Sequence, residues 1–478
     1  MQIPKSNFSE WYNAIIKEAQ LCDLRYEVKG FVVFMPWAVL TMNKMYEIYE
    51  KELQARGHLP ALFPALIPEH YIMRESEHVA GFVPEVFWVA TAGKNQLEEK
   101  LAMRPTSETA IYPMYALWIH GKKDLPLKIY QRCQVWRYET KATKPFIRSR
   151  EFYWIETHNC FATKEDAEDQ VREDMEMAEK VLHGEFGVPF LFFKRPQWDK
   201  FAGADDTYAA DTLMPDRRVL QLPSTHMLGQ NFAKAFGIKY MDENEKEQYV
   251  WQTCYGPAIS RIYAAVIATH GDDKGLVLPF ELAPLQIVIV PIVKKDTEQT
   301  VIKKARELRD KLAERYSVKL DESEETPGAK YNFWEMKGVP LRIEIGMRDI
   351  EHKSVTIFRR DIREKKLVKE NDIFEEIENM RTEIKVVLRK RADEWFKKQQ
   401  GEADTIEELN SALERYGLVK VPFCTDRMEG ERCADVVKEK CHANIRGTLY
   451  GNNESPKGKK CIGCGKKATL YLYAARQY

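Results

Sequence analysis

Apolar and polar positions change rhythm twice along the chain. In "NFSEWYNAIIKEA" Trp11, Ile15 and Ala19 recur at helical spacing, which predicts an amphipathic helix capped by Ser9. From Phe8 to about Pro279 such stretches alternate with short aromatic-rich strands arriving in runs, the pattern of an antiparallel sheet with helices packed on it. "LQIVIVPIV" (285–293) then opens a different order: an apolar strand, a charged helix over 296–316, the strand "VKLD", another helix, and the strands "VPLRIEIG" and "SVTIFRR". Strand and helix alternate here, so residues 284–385 read as a smaller α/β domain after an α+β domain over 1–283. Residues 386–478 read as a linking helix and a compact tail that bears cysteines.

Within the first domain, "VWRYETKATKPFIRSREF" (135–152) reads as a hairpin whose polar residues 140–145 form the turn, with Arg137, Arg148 and Arg150 on its face. The pattern fits an anion receptor, and it equally fits a ladder of cross-strand ion pairs with Glu139 and Glu151. "RPTSE" (104–108) leaves two readings as well: Thr106 and Glu108 as binding groups, or as the start of the helix "TAIYPMYALWI". Gln221, His226, Arg261, His270 and Asp272 are further polar candidates in otherwise apolar text.

Composition narrows the function. The 478 residues are too many for one core, and the longest apolar runs, which contain proline, are about half the ~20 residues a membrane span requires. No signal-peptide core opens the chain, so the expected address is cytoplasmic. Lys plus Arg equals Asp plus Glu at 73 each, so an RNA partner would be held by local basic patches. The end of the 373–400 helical stretch, with Lys385, Arg389, Lys390, Arg391, Lys397 and Lys398, is either such a patch or a solvated helix face.

Five of the nine cysteines fall in the last 55 residues, which favours metal over disulfides. Cys424 and Cys433 in "FCTDRMEGERC" and Cys461 and Cys464 in "CIGCG" make two pairs suited to tetrahedral zinc, with Cys441 or His442 as a possible substitute ligand. Cys22, Cys133, Cys160 and Cys254 are scattered and expected to be small buried apolar residues.

Taken together the pieces resemble a known family. "FPALIP" after a long amphipathic helix, "RYE" with "IRSREF", and the arginine that closes "YGPAISR" are similar to the three signature motifs of class II aminoacyl-tRNA synthetases. "RPTSE", "LGQNF", "HGDDKGLVLP" and "KYNFWEMKGVPLRIEIG" resemble the prolyl-tRNA synthetases of archaeal and eukaryotic type over essentially the whole chain. That resemblance implies a class II antiparallel catalytic sheet with flanking helices, an α/β anticodon-binding domain and a small zinc-binding C-terminal α/β domain. It also implies a homodimer built around Phe63 to Pro68, and the partners ATP with Mg2+, L-proline and tRNA(Pro).

The residue roles follow from the same resemblance. Arg137 would join the α-phosphate to the proline carboxylate, Glu139 would accept from the adenine amino group, and Phe152 would stack on the base. Gln221, Arg148 and Arg261 would serve ATP, with Arg261 on the γ-phosphate. Glu108 and Thr106 would receive the proline ammonium, supported by Arg150. Trp154, His226 and Ser224 would enclose the ring. Glu344 and Trp334 would read anticodon guanines, and the terminal Tyr478 would point back towards the active site. The chain departs from the family at Pro223-Ser224, where Gly-Thr is common, at Pro257, and at Met347. The rivals are a threonyl, glycyl or histidyl enzyme of the same subclass, and a paralogue that binds RNA without charging it.

Overall fold

The computed structural model describes residues 3–78, 86–294 and 296–478. An eleven-stranded sheet organises the molecule. From one edge its strands are Leu59–Pro60, Leu127–Trp136, Glu151–Phe161, Trp251–Gly256, Val219–Gly229, Asp206–Leu213, Leu191–Lys194, Asn444–Leu449, Leu470–Ala475, Leu418–Phe423 and Gln400–Glu402. All neighbours are antiparallel except the two edge pairs. The expected α+β class holds, but the cysteine-bearing tail does not build a sheet of its own. Its strand Asn444–Leu449 pairs with Leu191–Lys194 and extends the catalytic sheet.

Helices Phe8–Glu18, Pro36–Ala55 and Ile259–His270 pack their apolar faces into the main core, around Trp11, Tyr49, Ile155 and Tyr263. The first helix starts earlier than the sequence suggests: Asn7, not Ser9, holds the cap position, and its side chain bonds to Glu10. On the sheet, side chains alternate between faces. Thr225 turns to Asp174 of helix Lys164–Ala178, while its neighbours Ser224 and His226 turn the other way, into a cavity.

A separate five-stranded sheet, ordered Val318–Leu320, Ile287–Ile292, Leu341–Gly346, Ser354–Arg359 and Glu364–Lys369, has its first three strands parallel. Ile287, Ile289, Ile343 and Ile357 meet helices Glu298–Ala313 and Ile373–Lys397 on one face, and Val288 and Val290 meet Trp334 of helix Pro327–Met336 on the other. Helix Ile373–Lys397 passes residue 385 unbroken. The two sheets are tied by Arg360, 1% exposed, whose guanidinium donates twice to the Asp272 carboxylate at 2.6 and 2.7 Å. His270 is likewise structural, its Nε2 2.7 Å from the Phe186 carbonyl. No helix among the described residues is long and apolar enough to cross a membrane.

Candidate active site

The hairpin is present, with Val135 opposite Phe152 and Trp136 opposite Glu151. Its loop is longer than expected. The strands stop at Trp136 and resume at Glu151, so Arg137, Arg148 and Arg150 lie in the connection rather than on the strands. Phe146 turns there with φ 63°, which buries its ring against Phe34 and Tyr263 and folds residues 144–148 back on themselves.

A cavity of about 270 Å³ opens on this face of the sheet. Thr106, Glu108, Arg137, Phe152, Trp154, Gln221, Ser224, His226 and Arg261, all singled out from sequence, line it together with Glu156, His158, Arg195 and Cys254. Strand periodicity could have found two of the missed residues: in "YWIETHN", Trp154, Glu156 and His158 must share a face.

The cavity carries charges of both signs. Among the lining carboxylates, Glu156 Oε1 accepts from the Ser107 hydroxyl, from Gln131 Nε2 at 2.7 Å and from the Cys133 thiol at 3.2 Å, and Oε2 lies 3.2 Å from His158 Nε2. The other ring nitrogen of His158 is 3.0 Å from the Tyr112 hydroxyl. Burial alone would raise the Glu156 carboxyl, but His158 and these donors hold it below the usual range. Burial would likewise lower His158, yet Glu156 and Glu108 raise it, which favours an ion pair across the 3.2 Å contact. Glu108, whose carboxylate accepts from Thr106, is raised by burial and by Glu156. "RPTSE" does open the helix Glu108–Trp118, with Ser107 at the cap position and Glu108 in the first turn, but the Ser107 hydroxyl goes to Glu156 and makes no capping bond, so helix start and cavity lining are combined in one segment.

Three guanidiniums, those of Arg137, Arg195 and Arg261, also line it. Arg137 donates through Nε to the Pro105 carbonyl at 3.0 Å and lies over the rings of Phe152 and Trp154, 5.1 and 5.7 Å from their centroids. Burial lowers it, against Glu108 and Glu156. Arg261 donates to the carbonyls of Ile147 and Gln221 at 3.2 and 3.3 Å. Burial, with Arg137 and Arg148 nearby, pulls it down to about 10, the condition of a cation short of anions. His226 sits 2.9 Å from Thr207 Oγ1 and 3.0 Å from Ser224 Oγ, and burial drives it down to about 3, so the ring is neutral.

Other expected residues lie outside the cavity. Arg148 and Glu139 face each other at 3.9 Å within the loop. Arg150 does not reach Glu108: it donates to the Glu139 carbonyl and covers the Tyr138 ring. Tyr478 meets the same loop, its carbonyl oxygen accepting from Arg148 Nη2 at 2.7 Å and its hydroxyl donating to Asp216 at 2.6 Å. Trp334 offers no free stacking face, being 6% exposed with Nε1 donating to Asp321, while the exposed ring of that helix is Phe333. Glu344 is buried and accepts from Arg342 and Lys365.

The four sulfurs of Cys424, Cys433, Cys461 and Cys464 lie within 4.8 Å of one another. Cys424 and Cys433 Sγ are 3.7 Å apart, close to the roughly 3.8 Å edge of a tetrahedron whose metal–sulfur bonds are about 2.3 Å. Gly463 allows this, since a Cβ there would come within 2.6 Å of Cys433 Cβ. Cys441 stands apart, with its thiol against the Ile406 carbonyl, and His442 ends its helix with φ 50°. The remaining four cysteines are buried, as expected.

Comparison with known proteins identifies the family. Family models match at 87–270 (tRNA synthetase class II core domain, G, H, P, S and T), at 286–380 (anticodon binding domain) and at 406–478 (prolyl-tRNA synthetase, C-terminal). The proline–tRNA ligase of Thermofilum pendens is 51% identical over 99% of this chain and 98% of its own length, and that of Methanopyrus kandleri 43% identical over 98% and 96%. The structure of Giardia lamblia prolyl-tRNA synthetase in complex with prolyl-adenylate superposes with a TM-score of 0.95 at 36% identity, covering 99% of both chains. Similarity of this extent runs through the core, the anticodon-binding region and the C-terminal region alike, and the chain therefore belongs to the prolyl-tRNA synthetases.

Proposed function

We propose that the chain activates L-proline with ATP to prolyl-adenylate and transfers the prolyl group to the 3′ end of tRNA(Pro). The observation that carries this reading is a single cavity lined by both carboxylates and guanidiniums. Proline needs both: its secondary ammonium meets Glu108 and Thr106, with Glu156 and His158 holding Glu108 in a fixed field, and its carboxylate turns towards Arg137. Trp154, His226 and Ser224 enclose the ring.

A proline carboxylate oxygen attacks the α-phosphorus of ATP, and the bond to pyrophosphate breaks. No general base is required, because the nucleophile is already ionised. Two anions must meet, so fixed positive charge is the chief demand. Arg137 spans carboxylate and α-phosphate, and Arg261 takes the outer phosphates. Phe152 stacks on adenine, Glu139 accepts from its amino group, and Arg148 and Gln221 complete the nucleotide site. Mg2+ arrives with ATP. In the second step the terminal hydroxyl of the tRNA attacks the carbonyl carbon and AMP leaves.

The rest of the molecule serves these steps. Residues 284–385 read the anticodon, with Glu344 beside Arg342 as a candidate contact. Cys424, Cys433, Cys461 and Cys464 would hold a structural zinc, which suits a reducing, cytoplasmic setting. The sheet ends at the short strand Leu59–Pro60, where Leu59, Leu62, Leu66, Leu117 and Trp118 are exposed. An apolar edge of this kind supports a homodimer formed there. Glu108, Glu156 and His158 stand close enough together to ligate a metal, but both nitrogens of His158 already have partners in Tyr112 and Glu156, which favours the ion-paired arrangement over the pocket metal a threonyl enzyme would use. Pyrophosphate exchange with each amino acid, followed by charging of tRNA(Pro), tests the reading: exchange that proline does not stimulate would defeat it.

A further inference from the structure

Asp211 is fully buried, and both its oxygens are shared by two arginines that are 2 and 3% exposed. Arg195 donates to Oδ1 and Oδ2 at 2.7 and 2.9 Å, and Arg446 does so at 3.0 and 2.8 Å. Burial alone would raise this carboxyl, but the two guanidiniums hold it down to about 2. Arg446 belongs to the tail strand Asn444–Leu449, and Gly447 lets that strand come close, since a Cβ there would lie 2.0 Å from the Lys194 carbonyl oxygen. Arg195 also donates to the Arg446 carbonyl at 2.6 Å, and its Nη2 donates to Gln221 Oε1 at 3.1 Å. Arg195 and Gln221 both line the cavity.

We infer that Arg446 is a positioning residue for the nucleotide end of the cavity, acting through Asp211 and Arg195 on Gln221. This rests on the adenylate-forming reading above. An arginine can only donate, so its bond to Oε1 fixes which way the Gln221 amide points and leaves the amide N–H groups for a ligand. Arg195 can do this only while its fork is held in register, and the register is set from the far side of Asp211 by the second fork. Two buried cations against one carboxylate exceed what a domain clamp requires, because a single arginine across the boundary would suffice. The half-exposed Asp199, 4.0 Å from Arg195 Nε, adds only a distant counter-charge. The tail strand is thereby built into the nucleotide site, and an enzyme without it would hold Gln221 loosely.

The test is a double-mutant cycle in the full-length enzyme, read by proline-dependent pyrophosphate exchange, with Arg446→Gln, Gln221→Ala and the pair. Arg446→Gln should raise KM for ATP about 10-fold, the coupling expected of residues sharing one hydrogen-bond network, with KM for proline nearly unchanged. In the Gln221→Ala background the same change should add little. Arg446→Lys keeps the charge but loses the fork, and should raise KM for ATP while preserving the fold if Arg446→Gln does not fold. Equal effects of Arg446→Gln in both backgrounds, or an unchanged KM for ATP in a folded Arg446→Lys enzyme, would overturn the inference. A wild-type enzyme with no proline-dependent exchange would instead overturn the functional reading itself.

Discussion

Glu156→Gln puts the buried charge network to a quantitative test. The wild-type carboxylate is fully buried, accepts three hydrogen bonds on one oxygen and pairs with His158 on the other. Breaking a buried pair by removing one partner costs about 3–5 kcal/mol, and since the glutamine oxygen can still accept, about 3 kcal/mol is expected. The cost must depend on pH. His158 is raised in the fold, so its contribution is complete below its unfolded value of 6.5 and is lost as pH rises through the folded value. Glu156 is lowered, so its contribution is complete above 4.5 and is lost as pH falls through the folded value. Wild type and variant should therefore differ most between these limits, near pH 6, and the gap should shrink by about 1.4 kcal/mol at alkaline pH for each unit by which His158 is raised. Urea unfolding at pH 6 and pH 9 measures it. A gap of the same size at both pH values, or one below about 1 kcal/mol at pH 6, would show that the two side chains are not an ion pair.

Three further outcomes follow from the same geometry. Zinc should be present at one ion per chain, and Cys464→Ser should lower its content while exchange persists as long as the tail stays folded; a metal-free wild type, or lost exchange with a folded tail, speaks against a structural site. Deleting Tyr478 removes the acceptor of Arg148 and the ring beneath Lys144, so charging should slow by about 10-fold or more, the scale of one hydrogen bond to a charged group, and an unaltered rate would deny the C-terminus a role. Alanine and cysteine should leak through to the adenylate, because a missing methylene is worth only about 1–3 kcal/mol and no separate hydrolytic domain lies between Phe152 and Arg261; rapid hydrolysis of alanyl-tRNA(Pro) by this chain would contradict that.

Much of this was legible in the sequence because it is local. The change from runs of strands to strand–helix alternation near residue 285 marks the second sheet, while Trp154 and Ser224, on different strands, are reached in the sequence only through the family resemblance. What was missed is non-local or disguised. That Asn444–Leu449 pairs with Leu191–Lys194 depends on residues some 250 positions apart, and no local pattern encodes a partner. "EKKLVK" hides an edge strand because only Val368 is buried and the charges that protect the edge erase the alternation. Trp334 reads as a free aromatic, but the valines beneath it, Val288 and Val290, lie more than 40 residues earlier. Glu156 and His158 share the face of Trp154 by period-two spacing, yet a Glu or His in a strand seldom signals a buried ion pair.

The central claim is that one planar cation joins two anionic reactants, and Arg137 decides it. Pyrophosphate exchange and thermal melting should be measured on Arg137→Ala and Arg137→Lys. The account predicts that Arg137→Ala slows adenylate formation by at least ~10²–10³ with the fold intact, the scale for one preorganised group that stabilises transition-state charge. Arg137→Lys should recover little, since an ammonium supplies charge but no fork across two oxyanions. Lowered melting temperatures with near-normal exchange would contradict it, and would return the hairpin to a scaffold of ion pairs.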